Sequence, residues 1–262
     1  MELVKLTHEN IEKEHICCAI SNNKDIQVMS KKNWLKDRLE EGLVFLKGNV
    51  RGKCFIEYIP AEYAWAPIEA QGYMYIDCLW VSGQLKGHGY SNLLLEACIK
   101  DSKEKGKKGL VVLSSKKKMG FLSDPKYMGY KGFQTADTAE PYFELMYLPF
   151  GEGAHLPRFR DSVRRHEDMP EGFVLYYTNQ CPFTAKYVPI LEEMAKARNV
   201  VFRSVHIRTR EDAQNAPSPF TTFSLFHDGQ FVTHEILSEK KFDKILADKG
   251  LIRFSKRNIM TI

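Results

Sequence analysis

The chain has 262 residues, of which 44% are hydrophobic, 27% charged and 12% aromatic, with 17 glycines and 11 prolines. This composition is typical of globular proteins, and it excludes collagen-like, low-complexity and wholly disordered chains. The length suits two domains of ordinary size, and the net charge of +5 (38 basic minus 33 acidic residues) is too small to indicate a nucleic-acid-binding protein.

Charged residues interrupt every apolar run within a few positions, so no membrane-spanning segment is expected. The first residues also lack the cationic and then apolar pattern of a cleaved signal peptide. Six cysteines are spread along the chain without a C-x-x-C pair, which fits neither a disulfide framework nor a zinc site. We therefore expect reduced cysteines, no bound metal and a cytoplasmic location.

The hydrophobic pattern before residue 149 predicts a mixed α/β domain over residues 1–148. Its predicted elements, in chain order, are a strand at 3–6, helices at 10–20 and 32–41, strands at 43–46, 53–59 and 73–81, a helix at 90–103, and strands at 109–114 and 142–148. Residues 149–172 hold three prolines, three glycines and many charges without a period, so they are the predicted linker.

Strands and helices alternate again after the linker, which predicts a second α/β or α+β domain over residues 173–262. Its predicted elements are a strand at 173–178, a helix at 183–198, strands at 200–206, 222–227 and 230–234, and a helix at 239–249.

A glycine-containing turn between a strand and a helix is the most informative motif in the sequence. The strand ends at Val81, the turn carries Gly87 and Gly89, and the helix begins near Tyr90. Backbone N–H groups of such a turn and of the helix N-terminus form an anion site, which favours phosphate. Asn92 replaces the third glycine of a dinucleotide fingerprint and no P-loop sequence is present, so neither of these nucleotide motifs is met.

The turn resembles the acetyl-CoA signature of the GNAT superfamily of N-acetyltransferases, Gln/Arg-x-x-Gly-x-Gly/Ala, which Gln84, Gly87 and Gly89 match. The predicted order of elements over residues 1–148 is similar to that superfamily, and Gly132-Phe133 supplies the pair expected before its last strands. The resemblance implies a GNAT acyl-CoA N-acyltransferase fold, acetyl-CoA as cosubstrate and an amine acceptor.

The same resemblance implies which residues contact the cofactor. The pyrophosphate would meet N–H groups between Lys86 and Ser91, and pantetheine would pair with the strand end where the fourth and fifth strands of the fold separate. The implied cofactor-binding residues are Leu79, Trp80, Val81, Gln84, Lys86, Gly87, His88, Gly89, Tyr90 and Ser91. Lys86 and His88 would assist electrostatically, with solvated turn residues as the alternative for both.

The family's general acid is often a tyrosine four positions before the glycine of Gly-Phe, where this chain has Met128. Tyr127 is therefore the first candidate and Tyr130 the second, with simple packing as the alternative for each.

Asp77 lies in an otherwise apolar strand, and a period of two places it on the face of Leu79 and Val81. It is either paired structurally or a general base with a raised pKa. Glu57 on the neighbouring strand is another candidate base, with a solvent-facing position as the alternative. A backbone N–H near Val81 would stabilise the oxyanion.

The second domain resembles a thioredoxin fold, because Cys181 opens a helix that contains Pro189 eight residues later. Thr184 stands where thioredoxins carry their second cysteine, which favours a fold retained for binding without redox activity. A monothiol role for Cys181, with a lowered pKa, remains the alternative. A GNAT domain followed by such a module resembles the YoaP-like bacterial acetyltransferases.

These observations predict an acetyl-CoA-dependent N-acetyltransferase that acts on a primary amine of an unidentified small molecule or peptide. The alternative is a thioredoxin-like monothiol redox or binding protein with a degenerate CoA-binding domain. Neither prediction includes a nucleic-acid or membrane partner, and both leave the oligomeric state open. One set of aromatic residues is a candidate lining of the acceptor site, with packing under a loop as the alternative: Tyr58, Tyr63, Trp65 and Tyr73.

Overall fold

The computed structural model describes residues 1–19, 22–166 and 169–252. Residue 20, where the second predicted element ends, and residues 253–262 of the predicted second domain lie outside these ranges. The described chain is a mixed α/β protein, as predicted. Within it, no helix has both the length and the apolar character that crossing a bilayer requires.

The first unit is built on a seven-stranded sheet with the strand order β1-β2-β3-β5-β6-β8-β7. Strands β5 and β6 are parallel, and all other neighbours in this sheet are antiparallel. The elements are β1 (Leu3–Lys5), α1 (Ile26–Leu39), β2 (Val44–Gly48), β3 (Cys54–Pro60), β4 (Ile68–Glu69), β5 (Tyr73–Val81), α2 (Tyr90–Glu104), β6 (Gly109–Ser115), α3 (Pro125–Tyr130), β7 (Gln134–Ala139) and β8 (Phe143–Pro149).

The helix predicted over residues 10–20 is wrong, because residues 10–19 form turns and an isolated bridge. Ile16, Cys17 and Cys18 are all buried in succession, whereas a surface helix buries only every third or fourth residue. The first helix is instead α1, which begins earlier than the predicted residue 32. Asp25 caps it, since its carboxylate accepts a hydrogen bond from the Gln27 N–H at 2.8 Å.

The linker predicted over residues 149–172 contains a short strand, β9 (Arg158–Phe159), that pairs with β4. The guanidinium of Arg158 lies 2.6 Å from the carboxylate of Glu69 on that strand. This part of the segment therefore packs against the first unit through backbone hydrogen bonds and an ion pair.

The second unit has a four-stranded sheet with the order β11-β10-β12-β13. The edge strand β11 is parallel to β10, and the other two pairs, β10–β12 and β12–β13, are antiparallel. The elements are β10 (Phe173–Tyr177), α4 (Pro182–Ala197), β11 (Phe202–His206), α5 (Arg210–Gln214), β12 (Phe223–His227), β13 (Gln230–Thr233) and α6 (Glu239–Asp248).

Different elements pack on the two faces of the seven-stranded sheet. Helix α2 packs on one face, where Leu94 and Leu95 join Met74 and Ile76 of β5. The opposite face carries α1 and residues of the second unit, so one core holds Trp34 of α1 together with residues such as Ala213 and Phe231. The second unit therefore adds to the core of the first on the α1 side.

His234, which is fully buried, also joins the two units. One ring nitrogen, Nε2, lies 2.8 Å from the carbonyl oxygen of Gly120, and the other, Nδ1, lies 2.7 Å from the hydroxyl of Tyr142. A carbonyl only accepts hydrogen bonds, so Nε2 donates and Nδ1 accepts from the tyrosine. The neutral ring thereby satisfies both contacts, and burial lowers its pKa.

Candidate functional site

Strands β5 and β6 pair only over the first part of their length, from Tyr73 opposite Gly109 to Ile76 opposite Val112. Beyond this point β5 continues to Val81, while β6 stays paired with β8 as far as Ser115. Alternate residues of a strand direct their N–H and C=O groups to opposite neighbours. Residues 77–81 therefore have backbone groups on the β6 side that do not pair with that strand.

The glycine turn follows this free edge. After a 3₁₀ turn at Gly83–Leu85, Gly87 and Gly89 adopt φ angles of 83° and 75°, which favour glycine. A Cβ built at Gly87 or Gly89 meets no atom within 4 Å, so open space lies against the backbone. Gly89 is also the N-cap residue of α2.

The N–H groups of residues 87–91 make no hydrogen bond with the described part of the chain. The Lys86 N–H differs, because it donates to the Gly83 carbonyl at 3.2 Å, so this amide of the predicted donor set is already paired. These five consecutive donors lie at the positive end of the α2 dipole, an arrangement that favours an anion.

The side chains predicted to contact the cofactor lie in three different environments. Gln84, Lys86 and His88 are exposed. Leu79 and Val81 of β5 pack on the α2 side of the sheet, as does Tyr90. Trp80 points to the other face, where the Lys53 ammonium lies 4.1 Å from the ring centroid.

Tyr127 reaches the start of α2 from helix α3. Asp124 caps α3 by accepting from the Lys126 N–H at 3.0 Å, and the Tyr127 hydroxyl then donates to Asn92 Oδ1 at 3.2 Å. Burial raises the pKa of Tyr127 to about 12. Tyr130 on the same helix is 82% exposed, and Met128, at the family's usual tyrosine position, is buried. The structure brings Tyr127, and not Tyr130, to the first turn after the loop.

Asp77 occupies a β-bulge, because Glu57 pairs with Cys78 whereas the next β3 residue, Tyr58, pairs with Ile76. The extra residue shifts the alternation of side chains along β5. Cys78 therefore packs on the α1 side. The predicted sharing of one face by Asp77, Leu79 and Val81 is wrong, since those two side chains pack on the α2 side and Asp77 contacts the opposite one.

Asp77 faces a buried ion pair. The Lys31 ammonium of α1 lies 2.6 Å and 2.8 Å from the two carboxylate oxygens of Glu57, and both side chains are at most 2% exposed. Glu57 is therefore not solvent-facing, and its carboxylate is engaged by Lys31. Burial and the negative charge of Glu57 raise the pKa of Asp77 well above its usual value, opposed by Lys31.

A residue of the second unit completes this group. Gln180 Nε2 donates to Asp77 Oδ1 at 3.0 Å, and Gln180 Oε1 accepts from the Thr222 hydroxyl at 3.1 Å. We call Lys31, Glu57, Asp77 and Gln180 the Asp77 cluster. Sequence reasoning missed Lys31 and Gln180, because a lysine beside Lys32 resembles a surface residue and Gln180 precedes the more conspicuous Cys181.

The thiol of Cys181 lies at the N-cap of α4, next to the Asp77 cluster. A helix N-terminus lowers a thiol pKa, but burial dominates here and raises the pKa of Cys181 to about 11. This direction does not favour the alternative of a monothiol with a lowered pKa. The described residues also contain no group of three or more His, Cys, Asp or Glu arranged to hold a metal ion.

Three of the four aromatic residues considered for the acceptor site pack in the protein interior, and the fourth, Tyr63, is exposed. Tyr58 and Tyr73 are buried on opposite faces of the sheet. Trp65 packs edge-on against Trp34, with ring centroids 4.5 Å apart. Tyr63 is partly exposed, with the Arg210 guanidinium 4.9 Å from its ring centroid. Burial favours the packing alternative for Tyr58, Trp65 and Tyr73.

Comparisons with known proteins extend these observations. The chain is 45% identical over 244 residues, 93% of this chain and 97% of the relative, to YoaP of Bacillus subtilis (strain 168), an uncharacterized N-acetyltransferase. A family model described as YoaP-like matches residues 202–244.

Two solved structures are also similar. One is the GNAT family N-acetyltransferase YhbS from Escherichia coli in complex with CoA, at 14% identity, 63% coverage of this chain, 92% of that chain and a TM-score of 0.39. The other is a GNAT family acetyltransferase from Brucella melitensis in complex with acetyl-CoA, at 15% identity, 57% and 88% coverage and a TM-score of 0.35.

The sequence identity to the Bacillus relative extends over nearly all of both chains, including both structural units. The relative's name agrees with the enzyme class expected from the glycine turn, so the prediction of an N-acetyltransferase is confirmed. The chain belongs to the YoaP family of N-acetyltransferases.

Proposed function

We propose that the protein transfers the acetyl group of acetyl-CoA to a primary amine in the cleft between β5 and β6. The observation that carries the proposal is the run of five N–H donors at residues 87–91 that have no partner among the described residues, in the loop that follows the free edge of β5. An anion site beside an open strand edge suits a ligand that has both a pyrophosphate and an amide-containing arm.

The residues present fit this cosubstrate. The N–H groups of residues 87–91 would hold the pyrophosphate, and Lys86 would add positive charge from solvent. The backbone of Leu79–Val81 would pair with the pantetheine amides in the way another strand would. Acetyl-CoA would supply an activated acetyl thioester, and the loop and the free edge of β5, the strand that carries Asp77, would hold it.

Asp77 would act as the general base and Tyr127 as the general acid. A neutral amine must attack, so a carboxylate with a raised pKa is suited to take its proton. The amine would attack the thioester carbonyl to form the C–N bond, and the C–S bond would then break to release a thiolate, which takes a proton. With a pKa of about 12, the Tyr127 phenol remains protonated at neutral pH and is able to donate it.

We also propose that the second unit has a thioredoxin fold that has lost redox activity. The support is its parallel β10–β11 pair joined by α4, the antiparallel β12 and β13, and Pro189 within α4. Thr184 is buried where a resolving cysteine would stand, and its hydroxyl donates to the Thr178 carbonyl at 2.8 Å. The unit would serve as cover for the acceptor side of the sheet.

The test follows free-thiol release from acetyl-CoA across a panel of primary amines, with an amine-free blank. We expect amine-dependent release, together with CoA binding measured by calorimetry. Asp77→Asn keeps the size of the side chain, so it should retain CoA affinity while the rate falls by the ~10²–10⁴-fold typical of general acid–base catalysis.

Two results would contradict the proposal. If the wild-type protein binds no CoA, the loop is not a cofactor site. If Asp77→Asn supports the wild-type rate with the best amine of the panel, Asp77 is not the base.

A further inference from the structure

Gln180 makes the one side-chain hydrogen bond that Asp77 has with the described part of the chain. The bond uses Oδ1 and leaves Oδ2 of the carboxylate without a partner in the described residues. It also spans the two units, since Asp77 belongs to β5 and Gln180 precedes helix α4. A residue 103 positions away in the sequence thus orients the candidate base.

We propose that Gln180 is a positioning residue for acetyl transfer, through which the second unit completes the active site of the first. Its amide holds Oδ1 of Asp77, so Oδ2 remains directed to accept the proton of the incoming amine. This inference rests on the proposed function, because it assigns Gln180 a role through Asp77. Gln180 itself touches no reacting atom.

The orientation of the amide follows from its second contact. Gln180 has an N–H donor end and a carbonyl acceptor end, and only the donor end is attracted to a carboxylate. Thr222, which is 4% exposed, donates its hydroxyl to the carbonyl end at 3.1 Å. Thr222 therefore keeps the N–H end toward Asp77. The Gln180 backbone is held as well, since its N–H donates to the Thr178 hydroxyl at 3.4 Å.

Charged and titratable groups face Asp77 from each element packed around it. Glu57 lies on β3, Lys31 on α1, and Tyr75 and Cys78 on β5 itself. The thiols of Cys18 and Cys181 lie near the Lys31–Glu57 pair. With Lys31 and Glu57 neutralising each other, an ionised Asp77 leaves one net negative charge in the cluster. The Gln180 N–H offsets that charge, so its loss disfavours the ionised form.

The test replaces Gln180 by leucine, which has nearly the same shape and removes the donor while keeping water out. Aspartate carboxyl carbons of the full chain are labelled with ¹³C, and the Asp77 signal is assigned from its absence in Asp77→Asn. In Gln180→Leu we expect this signal to titrate at higher pH than in the wild-type protein. The acid limb of the rate profile with the best amine should move the same way, and the rate on that limb should fall by about 3- to 10-fold, the equivalent of one hydrogen bond.

Thr222 provides a matched pair of variants. Thr222→Val is isosteric and removes the hydroxyl that orients the amide, so the Asp77 titration should move in the same direction but less far. Thr222→Ser keeps the hydroxyl and should restore the wild-type titration. Should Gln180→Leu fail to fold, this pair still tests the proposal.

The outcomes separate this inference from the proposed function. An unchanged Asp77 titration in a folded Gln180→Leu or Thr222→Val protein would overturn the positioning role, even if Asp77→Asn is inactive. A shifted titration together with full activity of Asp77→Asn would instead overturn Asp77 as the base, and with it the catalytic meaning of the contact.

Discussion

Asp77, the extra residue of a bulge, has a raised pKa because it is buried and because the negative charge of Glu57 lies nearby. The folded protein therefore binds this proton more tightly than the unfolded chain does, where the usual pKa is about 4. By linkage, the contribution of Asp77 to stability declines as pH rises from that value through the folded pKa. A buried carboxylate that lowers stability at neutral pH is characteristic of a functional group.

Tyr127 allows a prediction at the same scale. Tyr127→Phe keeps the ring and its packing but removes the hydroxyl that meets Asn92. If this phenol protonates the departing thiolate, kcat and kcat/KM should both fall by the ~10²–10⁴-fold typical of general acid catalysis. Steady-state kinetics measures kcat and kcat/KM. Calorimetry measures CoA affinity, which should be unchanged.

Tyr130→Phe is the control for Tyr127→Phe, because it makes the same chemical change on the same helix at a side chain that is 82% exposed. Its activity should stay close to that of the wild-type protein. Wild-type turnover in Tyr127→Phe would remove Tyr127 from the mechanism, and a severe loss in Tyr130→Phe alone would exchange the two roles.

At the scale of elements, the site depends on where strands and helices end. Strand β5 continues through residues 77–81 beyond the end of its pairing with β6. Helix α2 begins at Tyr90, and its first N–H groups have no partner in the described part of the chain. Both features expose backbone groups rather than side chains. The glycines between them matter because they keep side chains away from these groups and permit positive φ angles.

Substitution of Gly89 tests this loop. In Gly89→Val, the added side chain would occupy the open space beside the free N–H groups. We expect CoA affinity to fall by roughly 10- to 100-fold, as expected when a charge-assisted hydrogen bond is lost. Calorimetry of CoA binding provides the measurement, and circular dichroism checks the fold.

Gly106→Val is the matched control for Gly89→Val. Gly106 has a φ of 68°, follows the other end of α2 and also has no atom within 4 Å of a built Cβ. The two variants carry similar backbone strain, so only Gly89→Val should weaken CoA binding. Equal affinity in the two folded variants would mean that the loop does not hold the pyrophosphate.

At the scale of the whole molecule, the two units share a core and a buried polar cluster. Ala213 and Phe231 of the second unit pack in the core that contains Trp34, and Gln180 meets Asp77. Because these contacts cross between the units, we expect the described chain to unfold as one cooperative system rather than as two independent domains.

The distribution of tryptophans makes this cooperativity measurable. All three tryptophans, Trp34, Trp65 and Trp80, lie in the first unit, so their fluorescence reports its unfolding. Leu225 is fully buried in the separate core of the second unit, and Leu225→Ala should cost about 2–5 kcal/mol. In urea, the tryptophan-detected midpoint should fall together with the midpoint from circular dichroism.

A tryptophan transition that stays at the wild-type midpoint in Leu225→Ala, while circular dichroism shows an earlier step, would contradict this expectation. Leu251→Ala is a suitable control, because Leu251 is 45% exposed and its truncation should leave both midpoints nearly unchanged.

Local sequence patterns were sufficient to predict much of the secondary structure of this protein. Period-two and helical patterns predicted most strands and helices, including β5 over residues 73–81, because hydrophobic periodicity reflects which face of an element is buried. The glycine turn was also predictable, since positive φ angles and free helix donors depend on neighbouring residues alone. Local reasoning of this kind indicates only an anion site, and the expectation of acetyl-CoA and of an N-acetyltransferase came from the resemblance of Gln84, Gly87 and Gly89 to the GNAT signature.

Only the tertiary structure determined the surroundings of Asp77. A bulge depends on the register between two strands, and neither strand's pattern reveals it, so the predicted face of Asp77 was wrong. Lys31 and Gln180 come from a helix and from a second unit far along the chain, and their residue types alone would be placed at the surface. Burial also raised the pKa of Cys181 where local reasoning allowed a lowered one. Local structure follows from short-range sterics and hydrogen bonding, whereas desolvation and charge pairing depend on which distant segments pack together.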